Sequence, residues 1–320
     1  ACGICRSDWH GWQGDWDWLG SKPPTGQILG HEPAGTVAAV GEEVETIAEG
    51  DRVAVPFNLS DGSCYFCKNG LSNICETMLP LGFTSLTPGA FAEAFPVRAA
   101  DQNVVKLPDD VDPVAMAGLG CRFVTAFHGL SHRADVDPGD WVAVHGCGGV
   151  GLSAVHIADA MGANVVAVDI RAEKLEWATE MGADETLNAA DLDNVASHVK
   201  AAADGGADVS IDALGIAETC QNSIASLGRR GQHLQIGLTT GDEAGQISVP
   251  TDVMVAKEIE FIGSYGMQPT RFDEIFRMIE RGKLDPGRLV SETVRLADVP
   301  DRLEAMSDYD TVGIPVITEF

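Results

Sequence analysis

Six consecutive residues near the start of the chain, Cys5-Arg6-Ser7-Asp8-Trp9-His10, offer a soft metal ligand, a fixed cation, a hydroxyl, a carboxylate and a titratable imidazole. A lone cysteine or histidine is ordinary core packing, so this hexad gains meaning only if other segments supply partners. His31, in Gly30-His31-Glu32-Pro33, and Cys121, in Gly120-Cys121-Arg122, are such residues. Two thiolates, one imidazole and an open position form a known catalytic zinc arrangement, although sequence spacing alone cannot assemble three such distant ligands. A second set is local: Asp61, Cys64, Cys67 and Cys75. Three thiolates with a carboxylate one three-residue step ahead suit a closed, tetrahedral structural zinc. Three partly buried thiols without metal are the alternative.

The third motif is Gly146-Cys147-Gly148-Gly149-Val150-Gly151. It follows a Val-rich run and opens a helical pattern, the context a dinucleotide fingerprint requires. Gly146, Gly148, Gly149 and Gly151 permit a tight turn and close backbone approach, so that N–H groups at the helix start receive a pyrophosphate. Asp169 ends the next β-type run, 18 residues after Gly151, where a carboxylate accepts hydrogen bonds from a ribose diol. A 2′-phosphate about 4 Å from that carboxylate would cost roughly 1–4 kcal/mol, which favours NAD over NADP. Arg171, two residues on, acts in the opposite direction.

These residues need two kinds of scaffold. Up to about residue 115 the chain is rich in Gly, Pro and short β-type runs, at 35–41, 51–55, 91–95 and 103–108. From Trp141 it alternates strand and helix, with strands expected at 141–145, 165–169, 185–187, 209–212, 233–236 and 259–262. Helices are expected from Val150 to Met161 and through Leu175 and Ala178 to a stop at Gly182, then over 271–280 and 299–306 before a closing strand at 314–318. Repeated strand–helix units with Val-rich strands predict an α/β fold: a Rossmann-type doubly wound parallel sheet beside a mostly β domain.

The chain has 320 residues, room for two domains, and carries 28 Asp and 20 Glu against 14 Arg and 7 Lys, a net charge of −27. Nucleic acid and anionic membranes are poor partners for that charge. No apolar run approaches the roughly 20 residues that span a bilayer, and no secretory signal is visible, so the expected location is the cytoplasm. Aspartate excess with scarce lysine points to adaptation to molar salt, where the Debye length falls to about 3 Å. A moderately acidic enzyme without salt adaptation is the plainer reading.

On these motifs, in this order, the chain resembles the zinc-dependent medium-chain alcohol dehydrogenases over essentially its whole length. The resemblance implies a GroES-like zinc-binding catalytic domain over residues 1–122 and 263–320, and an NAD-binding Rossmann domain over 123–262. It implies that Cys5, His31 and Cys121 ligate a catalytic zinc, with Glu32 an occasional ligand and Asp8 orienting the ligand imidazole. Ser7 and His10 match the family's proton relay, Arg6 the cation that meets the pyrophosphate, Thr125 a nicotinamide-side contact and Lys174 an adenosine-ribose contact. Asp61, Cys64, Cys67 and Cys75 align with the structural zinc ligands, although the family usually has cysteine where Asp61 stands. The family also begins with strands ahead of the first ligand, so an N-terminal segment is expected to precede Ala1.

The implied reaction is reversible oxidation of a primary or secondary alcohol, with hydride passed to NAD. Cys121 stands where sorbitol-type relatives usually carry Glu, which favours a simple alcohol or aldehyde over a polyol. Trp9, Trp12, Trp16 and Trp18 crowd the first ligand, either as surface and interface packing or as an aromatic-lined pocket. By analogy a homo-oligomer, tetramer or dimer, is expected. A zinc-free reductase of the same superfamily and a silent dinucleotide-binding scaffold are the rivals; the ligand set argues against the first and the relay pair against the second. If the acidic composition is a salt adaptation, stability rises between low and molar KCl. A melting temperature independent of salt would contradict it.

Overall fold

The strand that leads to Cys5 is two residues long, Cys2–Gly3, and neighbours from both ends of the chain hold it. It pairs antiparallel with Glu32–Thr36 on one side and Ile314–Glu319 on the other. The complete sheet runs Val290–Arg295, Ile314–Glu319, Cys2–Gly3, Glu32–Thr36, Arg52–Ala54, Val105–Lys106. This structure, a computed structural model, describes every residue except positions 21, 110, 242, 309 and 310. The chain divides into two compact units, Ala1–Val124 with Gly266–Phe320, and Thr125–Tyr265.

In the first unit, Cys2, Ile4, Ala90, Val294, Val299, Leu303, Met306 and Ile317 form a buried cluster, with Trp9, Phe91 and Phe95 packed against it. Two expected strands come out differently. The strand expected at 35–41 is Glu32–Thr36, because its register is set by pairing with Cys2–Gly3 and Arg52–Ala54 rather than by local propensity. The run 91–95 forms no strand. Its entry is fixed by Ala90 and Phe91 N–H groups on the carbonyls of Gly30 and Leu29, and a Cβ on Gly89 would lie 2.2 Å from Leu29 O. That close, irregular crossing leaves no ladder partner, and the two phenylalanines serve the core instead. A two-stranded ribbon, Asn58–Leu59 with Leu79–Pro80, brackets the cysteine segment.

The second unit is the expected doubly wound sheet. Its strands are all parallel, in the order Glu260–Gly263, Leu227–Gln235, Ala207–Asp212, Trp141–His145, Asn164–Asp169, Glu185–Asn188. Counted from Trp141 and read from the opposite edge this is 3-2-1-4-5-6, so the strand order reverses beside the glycine loop. The helices Gly149–Met161 and Ala172–Met181 fall where the periodicity placed them, each stopped by a left-handed glycine, Gly162 and Gly182. In the first unit, Phe272–Glu280, Val299–Ala305 and Ile314–Glu319 likewise occupy their expected places. Among the described residues, no helix is long and apolar enough to cross a membrane.

The parallel sheet also buries polar side chains that periodicity does not reveal. His145 and His233 are both shut from solvent, with Ser210, Ser223 and Ser226 beside them. Ser223 Oγ bonds His233 Nδ1 (2.9 Å) and Ser210 Oγ (2.8 Å). Burial, and secondarily the charge of His233, holds the His145 pKa down to about 3. An unfolded histidine titrates near 6.5, so protonation favours the unfolded chain. The contribution of His145 is therefore complete above about pH 6.5 and is lost as pH falls toward 3. At pH 5 the loss is about 2 kcal/mol. His145→Asn, which cannot charge, is expected to lower the drop in unfolding free energy between pH 7 and pH 5 by that amount, measured by urea unfolding at fixed salt.

Candidate functional site

Cys5 is the N-cap of the helix Arg6–Gln13, and Asp8 is its third residue. Asp8 reaches back to accept the Cys5 N–H (3.0 Å), which fixes Cys5 at the helix start. The same carboxylate accepts the Gly30 N–H (3.0 Å) and the His31 Nδ1–H (2.9 Å). Asp8 thus joins the hexad to the segment that leads into Glu32–Thr36. Donation from Nδ1 leaves His31 Nε2 as the ring's lone-pair nitrogen. Nε2 is buried and makes no hydrogen bond, and His31 is 1% exposed. Ligand atoms of Cys5, His31, Glu32 and Cys121 all lie within 4.8 Å of one another. An orphaned imidazole nitrogen among two thiols and a carboxylate is costly without an electrophile, and zinc fits that donor set.

The electrostatics agree. The hydrogen bond from the Cys121 thiol, then the Arg122 guanidinium and His31, outweigh burial and hold Cys5 well below the usual thiol range. Cys121, as the donor of that pair and buried, is pushed up. Burial opposes charge on His31, but Asp8 and Cys5 more than offset it, so its proton affinity is raised. Glu32 is raised by burial, partly relieved by Arg122. Arg122 is a site residue to which no role falls from its sequence position. Its backbone N–H (3.2 Å) and Nε (3.1 Å) donate to Glu32 Oε1, and its terminal nitrogen donates to Oε2. The available signal was a scarce cation directly after a candidate ligand. Glycines make the room: a Cβ on Gly120 would lie 2.3 Å from Glu32 Cβ, and one on Gly3 2.5 Å from Glu32 Oε2.

Ser7 and His10 stand three apart on the same short helix and therefore on one face. Arg6 donates to Met306 O (2.6 Å), and its guanidinium lies 4.4 Å from the Trp9 ring centroid. Of the four tryptophans, Trp16 is buried, Trp9 packs against the core and bonds Ser307 Oγ (3.1 Å), and Trp12 and Trp18 are exposed.

In the cysteine lobe, Cys64 Sγ lies 3.4 Å from Cys67 Sγ and 3.8 Å from Cys75 Sγ. Tetrahedral Zn–S bonds near 2.3 Å imply an S–S edge of about 3.8 Å. Asp61 Oδ1 is 3.5 Å from Cys67 Sγ, close to the corresponding O–S edge of about 3.6 Å. Donation from the Ser63 N–H, Thr77 Oγ1 and the Cys64 N–H holds the Asp61 carboxyl well below the usual carboxylate range. Hydrogen bonds from the Cys67 and Glu76 backbone bring Cys64 down to about 7.

In the second unit, Gly146 has φ +95°, and Gly148 is the N-cap of Gly149–Met161 with no side-chain cap. A Cβ on Gly151 would lie 1.7 Å from Gly146 O, so only glycine lets the helix start so close to the turn. Asp169 supports the loop directly: its Oδ2 accepts the Cys147 N–H (2.7 Å) and its Oδ1 the Arg171 N–H (3.0 Å). A carboxylate has about four lone-pair positions, so two remain for a ribose diol. Lys174 is on the first turn of Ala172–Met181, near enough to Cys147 to act on it electrostatically, and Thr125 is buried on Cys121–His128. Each unit therefore assembles its own candidate residues. Because Asp8 accepts from His31 Nδ1 and so fixes that ring, Asp8→Asn is expected to weaken any Zn²⁺ binding by the Cys5, His31 and Cys121 cluster about 10- to 100-fold, read by competition with a chelating dye.

Comparison with known proteins agrees with this geometry. Residues 149–281 match the zinc-binding dehydrogenase family, and residues 1–109 match the alcohol dehydrogenase GroES-like domain. An alcohol dehydrogenase of Geobacillus stearothermophilus is 34% identical over 308 residues, covering 96% of this chain and 86% of that protein. An NAD-dependent alcohol dehydrogenase of Sulfurisphaera tokodaii is 32% identical over 99% of this chain and 90% of its own length. Among solved structures, an alcohol dehydrogenase from Thermus sp. ATN1 superposes with a TM-score of 0.87 at 30% identity, over 99% of this chain and 90% of that one. With both halves matched and relatives aligned along almost the entire sequence, the chain belongs to the zinc-binding alcohol dehydrogenase family.

Proposed function

We propose that this protein oxidises a small primary or secondary alcohol, reversibly, to an aldehyde or ketone with hydride transfer to NAD, at a zinc held by Cys5, His31 and Cys121. The buried, unbonded His31 Nε2 beside two thiols is the observation that supports this reading most strongly. A zinc ion there would supply Lewis acidity, able to bring the pKa of a hydroxyl down toward about 7. The chain's own groups do the rest. Asp8 fixes the His31 tautomer, and the depressed Cys5 thiol is ready to ligate as thiolate. Arg122 engages both Glu32 oxygens, which limits Glu32 to occasional ligation. Ser7 and His10 pass the alcohol proton toward solvent.

In the second unit, the uncapped N–H groups after Gly148 receive the pyrophosphate; the family resemblance assigns Arg6, a residue of the first unit, as a further cation for it. Asp169 takes the ribose diol and disfavours a 2′-phosphate, Lys174 contacts the adenosine ribose, and Thr125 the nicotinamide side. Asp61, Cys64, Cys67 and Cys75 hold a second, structural zinc; their edge lengths support this. We further read the protein as a cytoplasmic homo-oligomer, dimer or tetramer, adapted to high salt.

An alcohol panel with NAD in molar KCl, before and after chelation and with metal analysis, tests the whole reading. Expected are two zincs per chain, loss of NAD reduction on chelation, and higher catalytic efficiency with NAD than with NADP. Cys5→Ser is expected to reduce activity to background and His10→Gln to slow it modestly, far less than Cys5→Ser. Full activity without zinc would favour the zinc-free reductase, and zinc and NAD binding without turnover the silent scaffold. One zinc per chain would remove the structural assignment.

A further inference from the structure

The helix that carries the relay ends in a turn with an unused carboxylate. Arg6–Gln13 is capped by Gly14, whose φ of +82° is left-handed. Glycine occupies that region without the clash a Cβ would cause. The chain therefore folds back, and the N–H groups of Gly14 and Asp15 both donate to His10 O, at 2.9 and 3.1 Å. The turn carries the Asp15 side chain to the imidazole, where Oδ2 lies 2.6 Å from His10 Nδ1. Asp17, the next acid along, is held elsewhere by Lys22 Nζ at 3.0 Å. Trp9 meets the His10 ring edge-on at 5.0 Å, and buried Trp16 lies against it at 5.1 Å. The imidazole is 17% exposed. It has contact with solvent and little freedom to turn.

A neutral imidazole donates from one nitrogen and accepts at the other, and a proton relay works only if the accepting nitrogen faces the incoming proton. An ionised carboxylate only accepts, so a carboxylate oxygen 2.6 Å from Nδ1 requires the hydrogen there. We propose that Asp15 is the positioning residue of the relay: it holds His10 in the Nδ1–H tautomer and so presents Nε2 as the proton acceptor. This rests on the assignment of Ser7 and His10 as the relay. The arriving proton binds Nε2 and makes the ring an imidazolium. The same proton leaves from Nε2 to water, while Nδ1 keeps its own and Asp15 neither gains nor loses one. Burial lowers the proton affinity of His10, Asp15 opposes that, and Arg6 adds to the lowering, so the resting ring is neutral and able to accept.

Two measurements on the zinc- and NAD-loaded enzyme decide it. The first is ¹⁵N NMR of labelled histidine, with the His10 signal assigned by its loss in His10→Gln. The wild type is expected to show the Nδ1–H tautomer, Asp15→Ala a shift toward the other tautomer, and Asp15→Glu a return. A His10 signal that ignores Asp15→Ala overturns the proposal whatever the turnover. The second is a double-mutant cycle on kcat for alcohol oxidation. Asp15→Ala is expected to match the His10→Gln loss within about threefold and to add less than about threefold on top of it, with KM for NAD and zinc content unchanged. Losses that multiply instead mean Asp15 acts only through the fold, and overturn the proposal. A His10→Gln variant with wild-type kcat removes the relay itself, a result distinguishable from failure of Asp15 alone.

Discussion

Asp8 is a carboxylate with no exposure to solvent, and donors from two separated segments converge on it. Burying a charge costs several kcal/mol unless hydrogen bonds replace its water. Here the replacements are the Cys5 N–H, the Gly30 N–H and His31 Nδ1–H. The arrangement is reciprocal. Without Asp8 those donors are orphaned, and without them Asp8 is an unpaired buried charge. Because Cys5 and His31 both hang on it, their mutual distance is set before any metal is considered. The short strand Cys2–Gly3 adds little rigidity of its own, so the carboxylate and the flanking ladders carry that task together.

Glu32 and Arg122 repeat the logic one layer away, with a difference in what is fixed. The Arg122 backbone N–H and side chain both bind the Glu32 carboxylate, so the helix that begins at Cys121 is tied to the strand that begins at Glu32. The third thiol is therefore placed through its neighbour as well as through its hydrogen bond to Cys5. Gly3 and Gly120 are where backbone must yield to the Glu32 side chain. The glycine loop solves another problem. It keeps side chains away from the helix start, and Asp169 then steadies it through the Cys147 N–H. One unit organises charge by enclosing it; the other leaves backbone donors open for charge to arrive.

The contrast explains what could be read from the sequence. The parallel sheet, the glycine loop, Asp169 and the cysteine lobe are encoded within runs of at most a few tens of residues. Period, turn residues and ligand spacing suffice there. The strand at Glu32–Thr36 takes its register from Cys2–Gly3 and Arg52–Ala54, and the irregular path of 91–95 is set by Leu29 and Gly30, so local β-propensity misplaced the first and invented the second. Arg122 and Asp15 lay in plain view beside Cys121 and His10. No spacing rule marks an arginine that turns back to a strand 90 residues earlier, or an aspartate returned by one left-handed glycine. The buried pair His145 and His233 escaped for a related reason, since each sits in a run that reads as ordinary apolar strand.

The acidic composition also has more structure in it than a count of charges suggests. Asp101 accepts from the N–H groups of Glu45 and Thr46 and from Thr46 Oγ1, Asp184 from Val165 N–H, and Asp208 from Trp141 N–H. Short carboxylates are effective backbone acceptors at turns and strand ends. Several of the scarce cations serve backbone carbonyls in turn: Arg6 binds Met306 O, Arg52 binds Asp109 O, and Lys257 binds Leu227 O. Many acids are thus committed to the fold, while these cations are withdrawn from surface neutralisation. The remaining carboxylates repel one another, and that repulsion is what dissolved salt can screen. The bonds to backbone N–H groups are short-ranged and directional, and screening leaves them in place. Salt therefore acts on the surplus charge and not on the hydrogen bonds that position the site.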